Sequence, residues 1–461
     1  MNETKTKKRG LFGAVDMRDG PVLSSMLKYV VPIVLSGILQ SLFSAADIAV
    51  VGNFAGTSAV AAVGATSAII SFLVTVSISI SSGVSIVLSR AIGAGDEQRI
   101  RRTVGTSAVL ALVLGLTTAV AGIIFARPLL RLTGCPLAIM DGAVLYMRIY
   151  FLGLPATLLY NFLSPLLSIN GDTVRPFIYL AASGALNVCL NLLFVIGLGM
   201  SVAGVAIATV ISLYLSLLLL FVRITHIDGA CRFSLRTLVF SFGTLRKILY
   251  YGVPASVSGA ASAFSSVYIQ TIINSYGEAA ISGNTAAGNL ETFMFTALGA
   301  FFSAIPAFMG QNIGAGKRDR VIKVVRVGTL MTLAVGLIFG LFGSLFGGSL
   351  LSLYIPDSPE AIAFGMIRIK HILALGLVCS VTYAVGAINI GFGFSVFNGI
   401  VDLTSVCVLR VIWLALVYPL HPSAAMIYVC FPLGWALVIP LSGVRAFLGC
   451  RACKRGAVMN L

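Results

Sequence analysis

Charge is what this chain has least of, and acid is scarcer than base. Only 15 Asp and Glu stand against 31 Lys and Arg in 461 residues, and charged side chains make up 10% of the sequence. The 42 residues from Ile48 to Ser89 carry no charge at all. A soluble domain of this length needs far more charge on its surface, so that class is excluded. Three histidines (His226, His371, His421) lie scattered, with no HExxH spacing, and no Ser–His or paired-Asp constellation stands beside them. This argues against an enzyme of the membrane interior. Eight cysteines form no disulfide framework, and Cys450-Arg-Ala-Cys453 has no second pair to complete a metal site, so it reads as structural. Gly314-Ala-Gly-Lys317-Arg318 lacks two phosphate-loop residues: position 311 is Gln and position 318 is Arg. ATP binding is excluded with it.

What the chain has is apolar length. It is 58% hydrophobic with a mean hydropathy of +1.02. One hydrocarbon span needs about 20 apolar residues, and charge-poor runs supply twelve: 24–52, 62–89, 104–126, 143–166, 177–198, 201–223, 246–273, 284–311, 328–354, 364–390, 396–417 and 422–446. These runs are continuous and rich in Leu, Ala and Gly, without the alternating ten-residue strands of a barrel. An all-α polytopic membrane protein follows.

The net charge of +16 is a matter of topology, not of nucleic acid. If the N-terminus is cytoplasmic, 25 of the 31 basic residues fall on that side: Lys5 to Arg9, Arg18 and Lys28; Arg90 to Arg102; Arg175; Arg223 to Lys247; Lys317 to Arg326; and Arg445 to Arg455. The other side holds only Arg127, Arg131, Arg148, Arg368 and Lys370, with Arg410 inside a span. This asymmetry places both termini in the cytoplasm. The first segment is long and lacks a cleavage site, so it reads as a retained span.

The chain repeats itself. Val31-Pro32 opens a stretch ending at Ile92-Gly-Ala-Gly95, and Val253-Pro254 opens another ending at Ile313-Gly-Ala-Gly316. Ser36-Gly37 matches Ser258-Gly259, and Gly56 matches Gly277. Six spans per half is even, so the halves share one orientation, related by a pseudo-twofold along the membrane normal. Parallel repeats of this kind suit alternating access between two lobes. The expected division is a tail (1–23), an N-lobe (24–223), a linker (224–245), a C-lobe (246–446) and a second tail (447–461).

Asp47 stands out against this background, because a carboxyl at bilayer depth costs at least about 2.5–3.5 kcal/mol and points to function. Its surroundings carry a pattern. Gln40-Ser-Leu-Phe-Ser-Ala-Ala-Asp47, Val51-Gly52 and Ala59-Val-Ala-Ala-Val-Gly64 are followed by Gly93-Ala-Gly-Asp96, Asn170-Gly-Asp-Thr-Val-Arg-Pro176, Asn187-Val-Cys-Leu-Asn191 and Ala203-Gly-Val-Ala-Ile-Ala-Thr209. Thr285-Ala-Ala-Gly-Asn-Leu-Glu291 and Ile313-Gly-Ala-Gly316 follow in the second half. In order and spacing, over about residues 25–445, the chain resembles the MATE (multidrug and toxic compound extrusion) transporters. The resemblance implies twelve helices in two six-helix lobes and export of amphipathic, often cationic compounds against inward protons or sodium. It also implies a cation site in the first lobe, whose matching residues here are Asp47, Asn187, Asn191 and Thr209.

Geometry agrees with that set. Asn187 and Asn191 are i and i+4 on one helix face. At 1.5 Å per residue the four residues lie about 8–17 Å below the outer ends of their spans. One departure matters: position 191 is Asn where the family pattern has a second acid. A lone carboxylate favours a proton over sodium as the coupling ion, because desolvation disfavours the charged form. Sodium stays open, since amide oxygens also bind cations. No other cofactor is expected.

Other family members carry acids on helices 7 and 10, and spans 246–273 and 364–390 here have none. Gln270 stands on span 7, and Glu291 on span 8 is left either to bind a cationic substrate or to pair with a neighbouring helix. Gln40, Phe43 and Tyr146 are further substrate candidates, with Phe293 and Tyr383, since flat aromatic faces attract cations. Asp402 and Arg410 lie about two turns apart on one face of span 11 and read as a structural, mutually neutralising pair, with a role in transport as the lesser alternative. Asp172 and Arg175 read as a turn and helix start. Pro32, whose repeat mate is Pro254, is a hinge or a fixed bend.

The reading is a MATE-like, proton-coupled drug antiporter of a cell membrane, working as a monomer on small amphipathic substrates among lipids, with no nucleic-acid partner. Its rivals are a sodium-coupled relative and a lipid or oligosaccharide flippase of the same superfamily. A flippase cavity would be basic, whereas the basic residues here stay at the cytoplasmic ends.

Overall fold

The computed structural model describes residues 15–227, 229–234, 239–356 and 358–456. Lys5, Lys7, Lys8, Arg9 and Arg236, with the outer parts of both expected tails, lie outside them. Twelve helical segments follow one another: α1 (Val22–Phe54), α2 (Thr57–Ala94), α3 (Glu97–Leu132), α4 (Leu137–Ile169), α5 (Val174–Gly197) and α6 (Ser201–Thr225), then α7 (Phe242–Asn274), α8 (Glu278–Gly314), α9 (Arg318–Tyr354), α10 in two pieces (Pro359–His371 and Gly376–Phe392), α11 (Ser395–Leu420) and α12 (Ala424–Arg455). Among the described residues there is no strand. The fold is the twelve-helix, two-lobe architecture expected from the charge-poor runs and the internal repeat.

Ten of these helices are long and apolar enough to cross a membrane singly, and α10 qualifies as a pair of pieces bent by 46°. Helix α7 is as long as α1, at 33 residues. Its serines and glycines, among them Ser256, Ser258, Ser262, Ser265 and Ser266, dilute its apolar content.

Helices α3 and α9 are built for lipid by turning large residues out and small ones in. On α3 the buried stripe is Ala108, Ala111, Gly115, Ala119, Gly122 and Ala126, while Leu112, Leu116, Val120 and Ile124 are exposed. On α9 the buried stripe is Gly328, Thr332, Gly336, Gly340, Gly343 and Gly347, with Leu337, Ile338, Leu341 and Leu345 outside. Helices in lipid gain no hydrophobic reward for burying leucine, so close backbone approach through small residues holds them together. The two stripes are repeat mates. A Cβ on Gly115 would lie 2.8 Å from the backbone of Pro155 on α4, and one on Gly336 would lie 2.3 Å from the Gly376 carbonyl on α10.

The chain divides into two compact units, residues 1–74 with 97–245, and residues 75–96 with 246–461. In the first, α3 packs on α4, α4 on α6, α5 on α6 and α1 on α5. In the second, α8 packs on both pieces of α10 and on α9, and α10 packs on α12. The inner part of α2 belongs with this second unit, and the repeated Ile-Gly-Ala-Gly motif explains the grouping. A Cβ on Gly93 would lie 2.1 Å from the Gln311 carbonyl, and one on Gly314 would lie 2.3 Å from the Arg90 carbonyl. The two motifs make one glycine-lined crossing of α2 with α8.

The matched prolines share a local device. Pro32 and Pro254 sit inside continuous helices. In each case the serine four residues on donates to the proline carbonyl, Ser36 to Pro32 at 2.8 Å and Ser258 to Pro254 at 3.0 Å. The loop before α5 is the expected turn: Gly171 has a positive φ of 86°, Asp172 accepts from the Arg175 backbone N–H at 3.2 Å, and the two side chains form an ion pair.

Candidate functional site: a polar chain on three helices of the first lobe

Helix α1 meets α5 at a glycine. The ring of Phe43 lies over Gly184, so close that a Cβ there would fall 1.8 Å from Phe43 Cε2. This contact sets the register. One turn beyond Phe43 comes Asp47, and one and two turns beyond Gly184 come Asn187 and Asn191. Asn191 Nδ2 donates to Asp47 Oδ1 at 2.5 Å and to Asn187 Oδ1 at 3.2 Å. Asn187 Nδ2 donates to Thr209 Oγ1 of α6 at 3.4 Å, and Thr209 in turn donates to the Val205 carbonyl at 2.9 Å.

The four residues singled out from the sequence therefore meet as one hydrogen-bonded chain. Asn191 is 0% and Asn187 is 6% exposed, while Asp47 and Thr209 are half-buried. Among the described residues, Asn191 Oδ1 is buried with no partner. It is an acceptor held in reserve beside the carboxylate. Immediately after Asn191, the helix loosens into a π-helical turn, Leu192–Gly197. Such turns are rare and frequent at functional sites.

Chemically this arrangement can do one of two things. With Asp47 charged, the Asn191 amide donates to it. With Asp47 protonated, the amide can turn and offer Oδ1 as acceptor, so that the same side chain satisfies both states. Alternatively the oxygens of Asp47, Asn187, Asn191 and Thr209 can surround a hard cation, which prefers oxygen ligands.

The remaining candidates separate. Tyr146 is buried on α4, stacked on Tyr150 with ring centroids 6.1 Å apart, and both lie within electrostatic reach of Asp47. Tyr150 was not singled out from the sequence, although its i+4 spacing from Tyr146 was available. Phe43 is the α1–α5 contact described above. Gln40 is exposed on α1, and Pro32 is buried on the same helix.

Gln270 and Glu291 belong to the second unit, in a network of their own. Arg368 of α10 donates to both carboxylate oxygens of Glu291, Nε to Oε1 at 2.9 Å and Nη2 to Oε2 at 2.8 Å. Its Nη1 reaches Asn284 Oδ1 at 2.6 Å, which also accepts from Tyr428 at 2.8 Å. Asn284 Nδ2 passes the chain on to Gln270 Oε1 at 3.0 Å. Of the two roles left open for Glu291, pairing with a neighbouring helix is the one seen. Arg368, counted with the outer flank, lies on the first piece of α10, before the 46° bend at 372–375, and its side chain is 19% exposed.

One correction concerns Asp402 and Arg410. They form no ion pair; Asp402 accepts from Asn398 at 2.8 Å and Arg410 lies 4.0 Å over the ring of Phe431. The π-helical stretch Leu403–Val408 between them changes the number of residues per turn and removes the shared face. Phe293 is half-buried, and Tyr383 packs on Phe295 and Phe302.

The second lobe does not duplicate the polar chain. At the repeat offset, Asn187 and Asn191 correspond to Val408 and Ile412, yet the π turn after Asn191 recurs at Trp413–Val417. The backbone device is common to both halves, whereas the hydrogen-bonding side chains are confined to one.

The MatE family profile matches residues 32–193 and 254–412, one match per lobe. The chain belongs to the MATE family. It is 30% identical to the probable multidrug resistance protein YoeA of Bacillus subtilis over 343 residues, 73% of this chain and 74% of that one. It is 26% identical to a FAD transporter of Shewanella oneidensis over 299 residues, 62% of this chain and 64% of that one. Among solved structures, an outward-facing multidrug resistance MATE transporter of the MOP superfamily superposes with a TM-score of 0.87 at 20% identity, covering 98% of this chain and all of that one. This MATE chain is thus a multi-pass membrane protein of a transporter family whose relatives handle small molecules.

Proposed function

We propose that this MATE protein is a proton-coupled antiporter, exporting amphipathic, often cationic compounds by alternating access, with Asp47 as the coupling carboxylate. The observation that carries the reading is the hydrogen-bonded chain Asp47–Asn191–Asn187–Thr209, a lone acid whose partners on two other helices are all neutral. A proton arriving from outside neutralises Asp47 and removes the charge that the Asn191 amide holds. The amide is then free to turn its spare Oδ1 toward the acid, and α1 loses one of its ties to α5. Release of the proton to the cytoplasm restores the bond. Protonation is thereby linked to the seating of α1, the helix that also carries Pro32 and the Phe43 contact. The cell membrane, with both termini in the cytoplasm, is the setting that the distribution of basic residues supports.

Sodium is the second reading, and the unpartnered Asn191 Oδ1 is the observation that favours it. Uptake of a cationic dye into inverted vesicles, with proton and sodium gradients imposed separately, tests both. Under the proton reading, uptake follows the pH gradient in sodium-free buffer and collapses with a protonophore. Uptake that stops without sodium while the pH gradient is intact assigns the site to sodium. An Asp47→Asn variant that still couples uptake to either gradient removes Asp47 from the mechanism.

A further inference from the structure

Arg410 is a charge the transport reading does not use. It lies in the four-residue α-helical turn Leu409–Ile412, between two π-helical stretches of α11, ten residues before the end of that helix at Leu420. It is 7% exposed, and among the described residues its side chain makes no hydrogen bond and no ion pair; its Nε is buried without a partner. The acids of this lobe's interior are both engaged elsewhere, Asp402 with Asn398 and Glu291 with Arg368. The titratable groups within electrostatic reach of the guanidinium are Cys379, Tyr383, Cys407 and Cys430, none of them a carboxylate. The ring of Phe431, 4.0 Å beneath, offsets only part of what it costs to hold a cation here.

A buried guanidinium presents several N–H donors in a planar fork, and the group that satisfies such a fork is a planar or tetrahedral oxyanion. Around it stand aromatic side chains. Phe431 lies under the fork, and Tyr383 beside it packs on Phe302 at 5.9 Å and Phe295 at 6.4 Å between ring centroids. We infer that Arg410 is the docking point for the anionic group of an amphiphilic cargo, a carboxylate, sulfonate or phosphate, whose apolar body packs against these rings. The inference rests on the reading of the chain as a small-molecule exporter and adds a class of cargo to it. Zwitterions and anions join the cations, recognised in the lobe that lacks the Asp47 site.

A matched pair of probes tests this directly: 1-naphthaleneacetate and 1-naphthylmethylamine share one aromatic body and carry opposite charge. The chain has two tryptophans, Trp413 three residues beyond Arg410 and Trp435 four beyond Phe431, so quenching of intrinsic fluorescence reports on this region. Purified protein in phosphatidylcholine nanodiscs is titrated with each probe. The wild type is expected to bind naphthaleneacetate saturably, and Arg410→Gln to weaken that binding by about tenfold or more, the loss of a charge-assisted hydrogen bond. Arg410→Lys keeps the charge without the fork and falls between the two. Binding of the amine stays the same in all three.

Equal binding of naphthaleneacetate by Arg410→Gln, or no saturable binding by the wild type, overturns the assignment. The wild-type titration needs no variant to fold. Repeating it in phosphatidylglycerol nanodiscs separates the sources of the anion: binding abolished there marks a lipid phosphate as the occupant and overturns the cargo assignment. The titration reads binding in the lobe that does not contain Asp47 and needs no ion gradient, so a failure of the Asp47 reading leaves this test standing.

Discussion

Glu291 and Arg368 offer the most exacting test of how the second unit is held together. The carboxylate is 1% exposed and the guanidinium 19%, and both Glu291 oxygens are bonded. Around them lies an apolar core that includes Leu290, Met294, Leu298, Ile372 and Tyr428. Replacing Glu291 by Gln keeps the shape but leaves Arg368 with an uncompensated charge. Breaking a buried pair by removing one partner costs about 3–5 kcal/mol. At roughly 2–4 °C per kcal/mol for a unit of this size, the unfolding midpoint should fall on the order of 10 °C. The double variant Glu291→Gln/Arg368→Met removes both charges, so it should recover much of that loss, although Asn284 also loses a donor. Thermal unfolding of detergent-solubilised protein can be followed with a thiol-reactive dye, because Cys379, Cys430 and Cys453 are free and buried. A Glu291→Gln midpoint within a degree or two of wild type refutes the buried-pair account. So does a double variant whose loss equals the sum of the two single ones.

Three further expectations use the same reasoning at other contacts. Gly184→Ala should push Phe43 aside and impair ion-coupled uptake in correctly inserted protein, and Phe43→Leu in the same chain should restore it; no rescue would mean that the ring does not set the α1–α5 register. Asn191→Asp places a second carboxylate beside Asp47 and should raise the sodium dependence of uptake, whereas an unchanged ion requirement would take position 191 out of contact with the ion. Gly336→Leu should abolish accumulation of folded protein, because its Cβ would lie 2.3 Å from a backbone carbonyl, while Gly348→Leu, with nothing within 4 Å, should be tolerated; expression and monodispersity in detergent check both.

The helices were legible because lipid leaves a chain little choice: backbone groups must be satisfied within each span, so uncharged length reports directly on helix positions. The polar chain in the first lobe was legible because Asn187 and Asn191 share a face by simple periodicity and the family pattern supplies Asp47 and Thr209. What stayed hidden depends on departures from regular helix. Nothing in His371-Ile-Leu-Ala-Leu-Gly376 announces the break in α10, and nothing announces the pairing of Arg368 with Glu291, 77 residues away in the chain. Nothing in Leu403–Val408 announces the π-helical stretch that parts Asp402 from Arg410. The Phe43–Gly184 approach is equally silent, since a glycine in a span is compatible with a crossing, a bend or neither. Small residues on α3 and α9 could have been aligned as a repeat; their partners across the helix pairs could not.

The central claim is that a proton taken up by Asp47, a lone acid among neutral neighbours, drives export. The most direct measurement is proton movement itself, in proteoliposomes holding a pH-sensitive dye, with sodium absent and cargo added on one side. The account predicts that adding cargo starts a proton flux in the opposite direction, abolished by Asp47→Asn in protein that is folded and inserted. Cargo movement without proton movement in sodium-free buffer, or an undiminished flux in Asp47→Asn, would contradict it.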